Sequence, residues 1–197
     1  MYALFFLILF HFFKRGVALI FMIFIIRFCI FVIVNLFKIY LITKMSNTYT
    51  QIYVQAVFAV NKRQNFINES LRIELEKIIS TIIKDHQSKL LAIYCNPDHT
   101  HVFFGLHPAC SVSKIVEAIK SGSSGWINRE KKINGKFSWQ SGFGAFTYSK
   151  SQIDNVVKYI LNQPVHHKRN SFKEEYLDFL KKFEIEYNEQ FLFDWME

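Results

Sequence analysis

Residues 51–60 alternate in polarity. Ile52, Val54, Ala56, Phe58 and Val60 point one way and Gln51, Tyr53 and Gln55 the other, which predicts a half-buried strand. Asn68 is placed to cap a helix whose Leu71, Leu75, Ile78, Ile79, Ile82 and Ile83 recur at helical spacing and end near His86. Residues 89–95 read as a second strand, Asn96-Pro97-Asp98 as a turn, and His99–His107 as a third strand antiparallel to the second. A second helix starts at Ser111 or Ser113 with Ile115, Val116 and Ile119 on one face; the run Ser121-Gly122-Ser123-Ser124-Gly125 is expected to kink or interrupt it before Trp126 and Ile127. Residues 134–147, with Gly135, Gly142 and Gly144 among aromatics, read as a loop-rich stretch holding one short strand at most. Ser149 opens another helix, with Gln152 completing a capping box, and Pro164 stops it near Gln163. A last helix spans about 171–183, followed by an aromatic, acidic tail over 184–197. The order β-α-β-β-α-(β)-α predicts the α+β class, an antiparallel sheet with helices packed on one face.

Charge divides the chain differently. Residues 1–44 carry five basic residues (Lys14, Arg15, Arg27, Lys38 and Lys44), no acidic ones and 10 of the 22 Phe. That leaves 19 basic and 16 acidic residues in 45–197, so the net +8 of the chain falls to +3 over the patterned part. Charge alone therefore does not argue for a nucleic-acid partner. The leader's uncharged runs, 1–13, 16–26 and 28–37, are each too short to span a bilayer. Residues 16–37 would cross only with Arg27 at the centre, at a cost of roughly 2.5–3.5 kcal/mol. A secretory signal fits poorly, since no positive charge precedes the first apolar run. The expectation is an apolar helical segment upstream of the true start at Met45, with a membrane anchor as the other reading and 45–197 as the working domain. Three cysteines in odd number suit a reducing compartment.

Candidate chemistry begins on the third strand. His99, His101, Phe103, Gly105 and His107 share one face, and Thr100, Val102, Phe104 and Leu106 share the other. The apolar face belongs under helices, which leaves His99 and His101 side by side on an open face, where two imidazoles can hold one divalent ion. On the helix after Ser149, Tyr159 and Gln163 lie on one flank of the stripe formed by Ile153, Val156, Val157, Ile160 and Leu161. A hydroxyl and an amide so paired can address a metal-bound phosphate. Two other readings compete: a zinc protein using Cys95, His99, His101 and Cys110, whose cysteines lack the short spacing of structural zinc sites, and a non-catalytic single-strand binder, which would need neither Tyr159 nor Gln163.

Pro97-Asp98-His99-Thr100-His101-Val102 followed by Tyr159-Ile160-Leu161-Asn162-Gln163 resembles the single-tyrosine HUH transposases of the IS200/IS605 type. The resemblance runs from about Tyr49 to about Trp195 and takes in Gly142-Phe143-Gly144-Ala145-Phe146 and Gln163-Pro164-Val165-His166-His167-Lys168. Thr100 departs from the large apolar residue of the middle position but faces the core, so the pair is unaffected. The resemblance implies a ferredoxin/RRM-like sheet with a C-terminal catalytic helix. His99, His101 and Gln163 would hold Mg²⁺ or Mn²⁺, and Tyr159 would attack single-stranded DNA to give a 5′-phosphotyrosine. For the base that activates Tyr159, His107, His166 and His167 are all open. The same resemblance implies a homodimer, a substrate with terminal hairpins and a cytoplasmic, nucleoid-associated location, with a membrane involved only if the leader is genuine. Lys120, Ser123, Ser124, Arg129, Lys131 and Lys132, on and after the second helix, are the expected DNA contacts.

Overall fold

The computed structural model describes residues 25–35 and 48–193. Two compact units, Met1–Tyr49 and Thr50–Glu197, divide the chain. In the first, residues 25–35 form a helix with Phe28, Phe31 and Ile33 exposed. The rest of the expected leader, and the start at Met45, lie outside the described residues. No helix among the described residues is long and apolar enough to cross a membrane.

The second unit is built on four antiparallel strands: β1 (Tyr53–Ala59), β2 (Lys89–Cys95), β3 (His99–Gly105) and β4 (Gly144–Tyr148), in the order β2-β3-β1-β4. The two central strands pair with Val57 opposite His101, Ala59 opposite His99 and Gln55 opposite Phe103. Helix α1 (Glu69–Asp85) starts where the Asn68 side chain accepts the Leu71 N–H at 2.9 Å. Helix α2 (Val112–Arg129) starts in the same way at Ser111, which accepts from Lys114. These two cover one face: Leu75, Ile79, Ile83, Ile115, Ile119 and Ile127 pack on Val54, Ala56, Phe58, Val102 and Phe104.

α2 is continuous where a kink was expected. The hydroxyls of Ser121, Ser123 and Ser124 turn back to the carbonyls of Glu117, Ile119 and Lys120 at 2.8, 2.5 and 2.6 Å, so none competes for backbone outside the helix. Gly122 lets α1 come close, since a Cβ there would meet Ile82 Cδ1 at 2.9 Å. The 130–143 loop is tied to the same helix through Asn128, which bonds both the N–H and the carbonyl of Phe137, and through Trp139 Nε1, which donates to Ser123 Oγ at 2.9 Å.

The opposite face is not open. After a 3₁₀ turn carrying the Ser149–Gln152 capping box, α3 (Ile153–Leu161) lays Val156 and Ile160 over Ala92 and Phe103. It ends before Gln163, which belongs instead to the short helix α4 (Gln163–His166) with Pro164 in its first turn, where the missing N–H costs nothing. Helix α5 (Phe172–Lys182) then brings Phe172, Tyr176, Phe179 and Leu180 onto Val57, Ala59 and Phe146. Gly144 makes this approach possible, because a Cβ would meet the Tyr176 ring at 2.8 Å.

Candidate functional site

Strand alternation puts His99 and His101 on the α3/α5 side, with ring centroids 5.1 Å apart. Both are buried, at 2% and 0% exposure, beneath the C-terminal helices. His99 is held from three directions. Its Nδ1–H donates to Asp98 at 2.7 Å, its ring stacks on Phe172 at 4.0 Å, and its Nε2 receives Asn96 Nδ2 at 2.9 Å. Arg63 grips Asp98 from behind, donating from Nε at 2.8 Å while its guanidinium lies over the Phe172 ring. Burial works against the Asp98 charge, but the bond from His99 and the charges of His99 and Arg63 hold that carboxyl down to about 2. Burial, opposed by the Asp98 bond, lowers His99 to about 4, so the ring is neutral at pH 7, with the lone pair of Nε2 directed at the Asn96 amide. This carboxylate–histidine relay is the support that metal-binding imidazoles use. On His101, Gln55 Nε2 donates to Nδ1 at 3.1 Å, and Tyr148 Oη donates to Gln55 Oε1 at 2.8 Å.

Glu175 of α5 stands at the meeting point. Its Oε1 accepts from the Tyr159 hydroxyl in a short bond and from Gln163 Nε2 at 2.7 Å. Its Oε2 lies 3.3 Å from His101 Nε2, 3.3 Å from His167 Nε2 and 3.7 Å from His99 Nε2. Burial alone would raise Glu175, yet the surrounding His101, His167 and His99 hold it well below the ordinary carboxylate range. Burial, then the Glu175 charge and hydrogen bond, push the Tyr159 phenol above its usual value. The resting hydroxyl is therefore protonated.

His99, His101, His167 and Glu175 offer donor atoms that all lie within 4.8 Å of one another. His101 Nε2 and Glu175 Oε2 are buried and face each other at 3.3 Å without a well-formed hydrogen bond, an arrangement that a cation between them would improve. The donor set and its orphaned atoms thus fit a divalent ion. A cavity of about 710 Å³ opens beside Tyr159 and Glu175, walled in part by the amides of Gln55, Gln152 and Asn155. A second, of about 430 Å³, reaches the other side of Tyr159 between Lys158 and Arg169.

The structure thus brings His99, His101, Tyr159 and Gln163 together within one chain. Gln163 faces Glu175 through its nitrogen, while its oxygen accepts from Asn96 at 3.0 Å. His166 Nε2 is 3.6 Å from Glu175, whereas His107 lies past the end of β3, where its Nδ1 accepts from Ala109 in a turn. The expected DNA contacts sit in the other layer, on and after α2. Ser123 is fully buried and bonded to Ile119 and Trp139, so it is corrected to a structural residue. Ser124 bonds back to Lys120, whose Nζ clamps the carbonyls of Gln140 and Gly142 at 2.6 and 2.7 Å. Lys132 pairs with Glu74 and Arg129 with Glu130; Lys131 is exposed. Nor does the Cys–His zinc set assemble, because Cys95 and Cys110 belong to the core under α1 and α2, across the sheet from the imidazoles. What the sequence reading missed is Glu175. Its signal was there: it lies in the stripe Phe172, Tyr176, Phe179, Leu180, a carboxylate at a core position.

A family model described as Transposase IS200 like matches residues 48–163, more than half of the chain. The chain belongs to that family. Against the curated proteins its sequence finds no match. Among solved structures it is similar to a Deinococcus radiodurans R1 protein described as a candidate transposase, with 20% identity and a TM-score of 0.50, over 61% of this chain and 96% of that one. A REP-associated tyrosine transposase bound to a REP hairpin is also similar, with 18% identity and a TM-score of 0.48, over 63% of this chain and 73% of that one. The antiparallel sheet and its helices are accordingly the fold of an IS200-like transposase.

Proposed function

We propose that this transposase cuts and rejoins single-stranded DNA through a covalent bond to Tyr159, with a divalent metal held at His99 and His101. The observation that carries the reading is the shared carboxylate. One oxygen of Glu175 holds the Tyr159 hydroxyl and the other faces the imidazoles, so nucleophile and candidate metal site are a single side chain apart. The metal, when bound, supplies Lewis-acid polarisation of the scissile phosphate. The chain's own residues do the rest. α3 and the rings of His101, His166 and Phe179 fix the Tyr159 ring, and Glu175 keeps its oxygen aimed inward. The Tyr159 oxygen forms a bond to phosphorus as the bond from phosphorus to the 3′ oxygen breaks. Its own proton passes from the phenol to solvent, and the released 3′ oxygen takes one up from solvent. The ester conserves the bond energy, so a 3′ hydroxyl returning to the phosphotyrosine reverses the step without a nucleotide cofactor. Lys158 and Arg169, in the cavity beside Tyr159, suit the flanking phosphates.

The test is a denaturing gel after incubation with hairpin-bearing single-stranded DNA and divalent metal. A covalent protein–DNA band is expected from the wild type and none from Tyr159→Phe, which keeps the ring and loses the oxygen. A band that persists in Tyr159→Phe would refute the assignment.

A further inference from the structure

We propose that Arg63 is a positioning residue of this site, which fixes the ring of His99 by two routes, through the Asp98 carboxylate and through the Phe172 ring. The inference rests on the functional reading above, in which His99 holds the metal.

Three observations carry it. The first is convergence. Arg63 follows β1, Asp98 lies in the turn between β2 and β3, and Phe172 opens α5. Arg63 Nε and Nη2 both donate to Asp98 Oδ2, the former at 2.8 Å, and Asp98 Oδ1 accepts from His99 Nδ1 at 2.7 Å. The guanidinium carbon stands 4.4 Å over the centre of the Phe172 ring, and that ring stacks on His99 at 4.0 Å. One guanidinium thus reaches one imidazole twice, by a hydrogen-bond relay and by a stack. The carboxylate it holds accepts only, so the ring proton is kept on Nδ1 and the Nε2 lone pair stays directed into the site.

The second is burial. Arg63 is only 8% exposed, and its partner Asp98 is nearly as enclosed. A buried ion pair is poor evidence of a stabilising role, since apolar side chains of similar volume do as well or better. The third is the backbone. Lys62 and Arg63 have φ of 55° and 53°, two successive left-handed residues that both carry side chains. Such a turn persists only where its surroundings over-determine it. Here the Val60 N–H donates to the Asp98 carbonyl at 2.7 Å and the Ile67 N–H to the Pro97 carbonyl at 3.0 Å. The strained turn is therefore stitched on both sides to the segment that its arginine grips. A lysine would give neither the two-nitrogen fork nor the flat face over Phe172.

The test uses the full chain. Nitrogen NMR of the metal-free protein with labelled histidines reads the His99 tautomer, and Mn²⁺ titration reads the affinity of the site. In the wild type the His99 proton is expected on Nδ1; a proton on Nε2 would refute the inference. Arg63→Met keeps an apolar stem and removes the guanidinium. The His99 signals should then move toward those of a ring exchanging between tautomers, and Mn²⁺ should bind about 10–100-fold more weakly. Combined with Asp98→Asn, the losses should fall well short of multiplying, because both changes act on one relay. Losses that multiply, or a folded Arg63→Met with the wild-type tautomer and affinity, would overturn the proposal. Should Arg63→Met fail to fold, Arg63→Lys keeps the charge beside Asp98 and loses the fork and the plane. It should cost about tenfold in Mn²⁺ affinity, and wild-type affinity there would count as refutation. Adduct formation at Tyr159 is a separate readout. A wild type that forms the adduct, with His99 unmoved in Arg63→Met, refutes the positioning role alone. A wild type with the Nδ1 tautomer, lost in Arg63→Met, and no adduct refutes the function alone.

Discussion

The two faces of one sheet have opposite chemistry. Under α1 and α2 the strands present Val54, Ala56, Phe58, Val102 and Phe104, an apolar core. Under α3 and α5 the same strands, one residue out of step, present Gln55, His99 and His101, with Gln163 and Glu175 brought down on them from the helices, all buried. The first arrangement follows from area removed from water, about 25 cal/mol per Å². The second does not. Burying five polar side chains costs free energy that their hydrogen bonds only partly return, and His101 Nε2 and Glu175 Oε2 meet only in a 3.3 Å ion contact. A fold keeps such a face for what it does, and lets the other face supply the stability it gives up.

Substitutions that separate the two faces test this division. The largest effect expected is on chemistry. Tyr159→Phe should abolish the covalent adduct while costing only about 1.5–3 kcal/mol of stability, the loss of one hydrogen bond to a carboxylate. Phe104→Ala is its mirror image. Phe104 is fully buried against α1 and α2, so truncation should cost about 3–5 kcal/mol in denaturant unfolding. The folded fraction should bind metal as the wild type does. Metal affinity falling in step with stability would mean that the faces are not independent.

Acid should expose the second face next. His99 has a folded value of about 4 against about 6.5 unfolded. Between these the unfolded chain binds more protons, so the stability of the metal-free protein rises with pH across this window and is lost as pH falls through it. The loss is of order 3 kcal/mol. Asp98, held at about 2 against an ordinary 3.8, extends it below pH 4, because its contribution is present above the unfolded value and disappears as pH falls through the folded one. Urea midpoints from pH 7 to pH 3 measure both, and His99→Asn should flatten the upper part. A flat wild-type profile between pH 6.5 and 4 would contradict a neutral, buried His99.

The contrast between faces also explains what could be read from sequence. Alternation is local, so β3 by itself put His99 and His101 opposite Val102 and Phe104, and the stripe on α3 put Tyr159 at its edge. The burial of those histidines was not local. It depends on α5 returning across the sheet, and nothing in 99–101 encodes a helix some seventy residues later. Glu175 was obscured for the same reason: beside Glu174 it reads as surface charge although it falls in the apolar stripe, and the docking of Phe172, Tyr176 and Phe179 is what buries that stripe. α2 was misjudged in the other direction. Its serines look like helix breakers until their hydroxyls are seen bonded one turn back, and Gly122 until Ile82 is found against it.

The smallest effect sharpens the comparison most, because it asks which face meets the DNA. Lys158 and Arg169 line a cavity that Tyr159 shares, on the side of the sheet with the imidazoles. Arg129 ends α2 and Lys131 follows it on the other side, and Arg129 is already paired with Glu130. A phosphate contact on single-stranded DNA contributes about 0.7 to the slope of log affinity against log salt. Lys158→Ala with Arg169→Ala should therefore lower that slope by about 1.4 and weaken hairpin DNA binding by about tenfold at low salt. Arg129→Ala with Lys131→Ala removes exposed charges remote from Tyr159, so stability should stay within about 0.5 kcal/mol and affinity should change less than in the first pair. Filter binding across a salt series distinguishes the two. If the α2 pair gives the steeper loss, the strand approaches from the apolar side, and the DNA must cross an edge of the sheet to bring its phosphate to Tyr159.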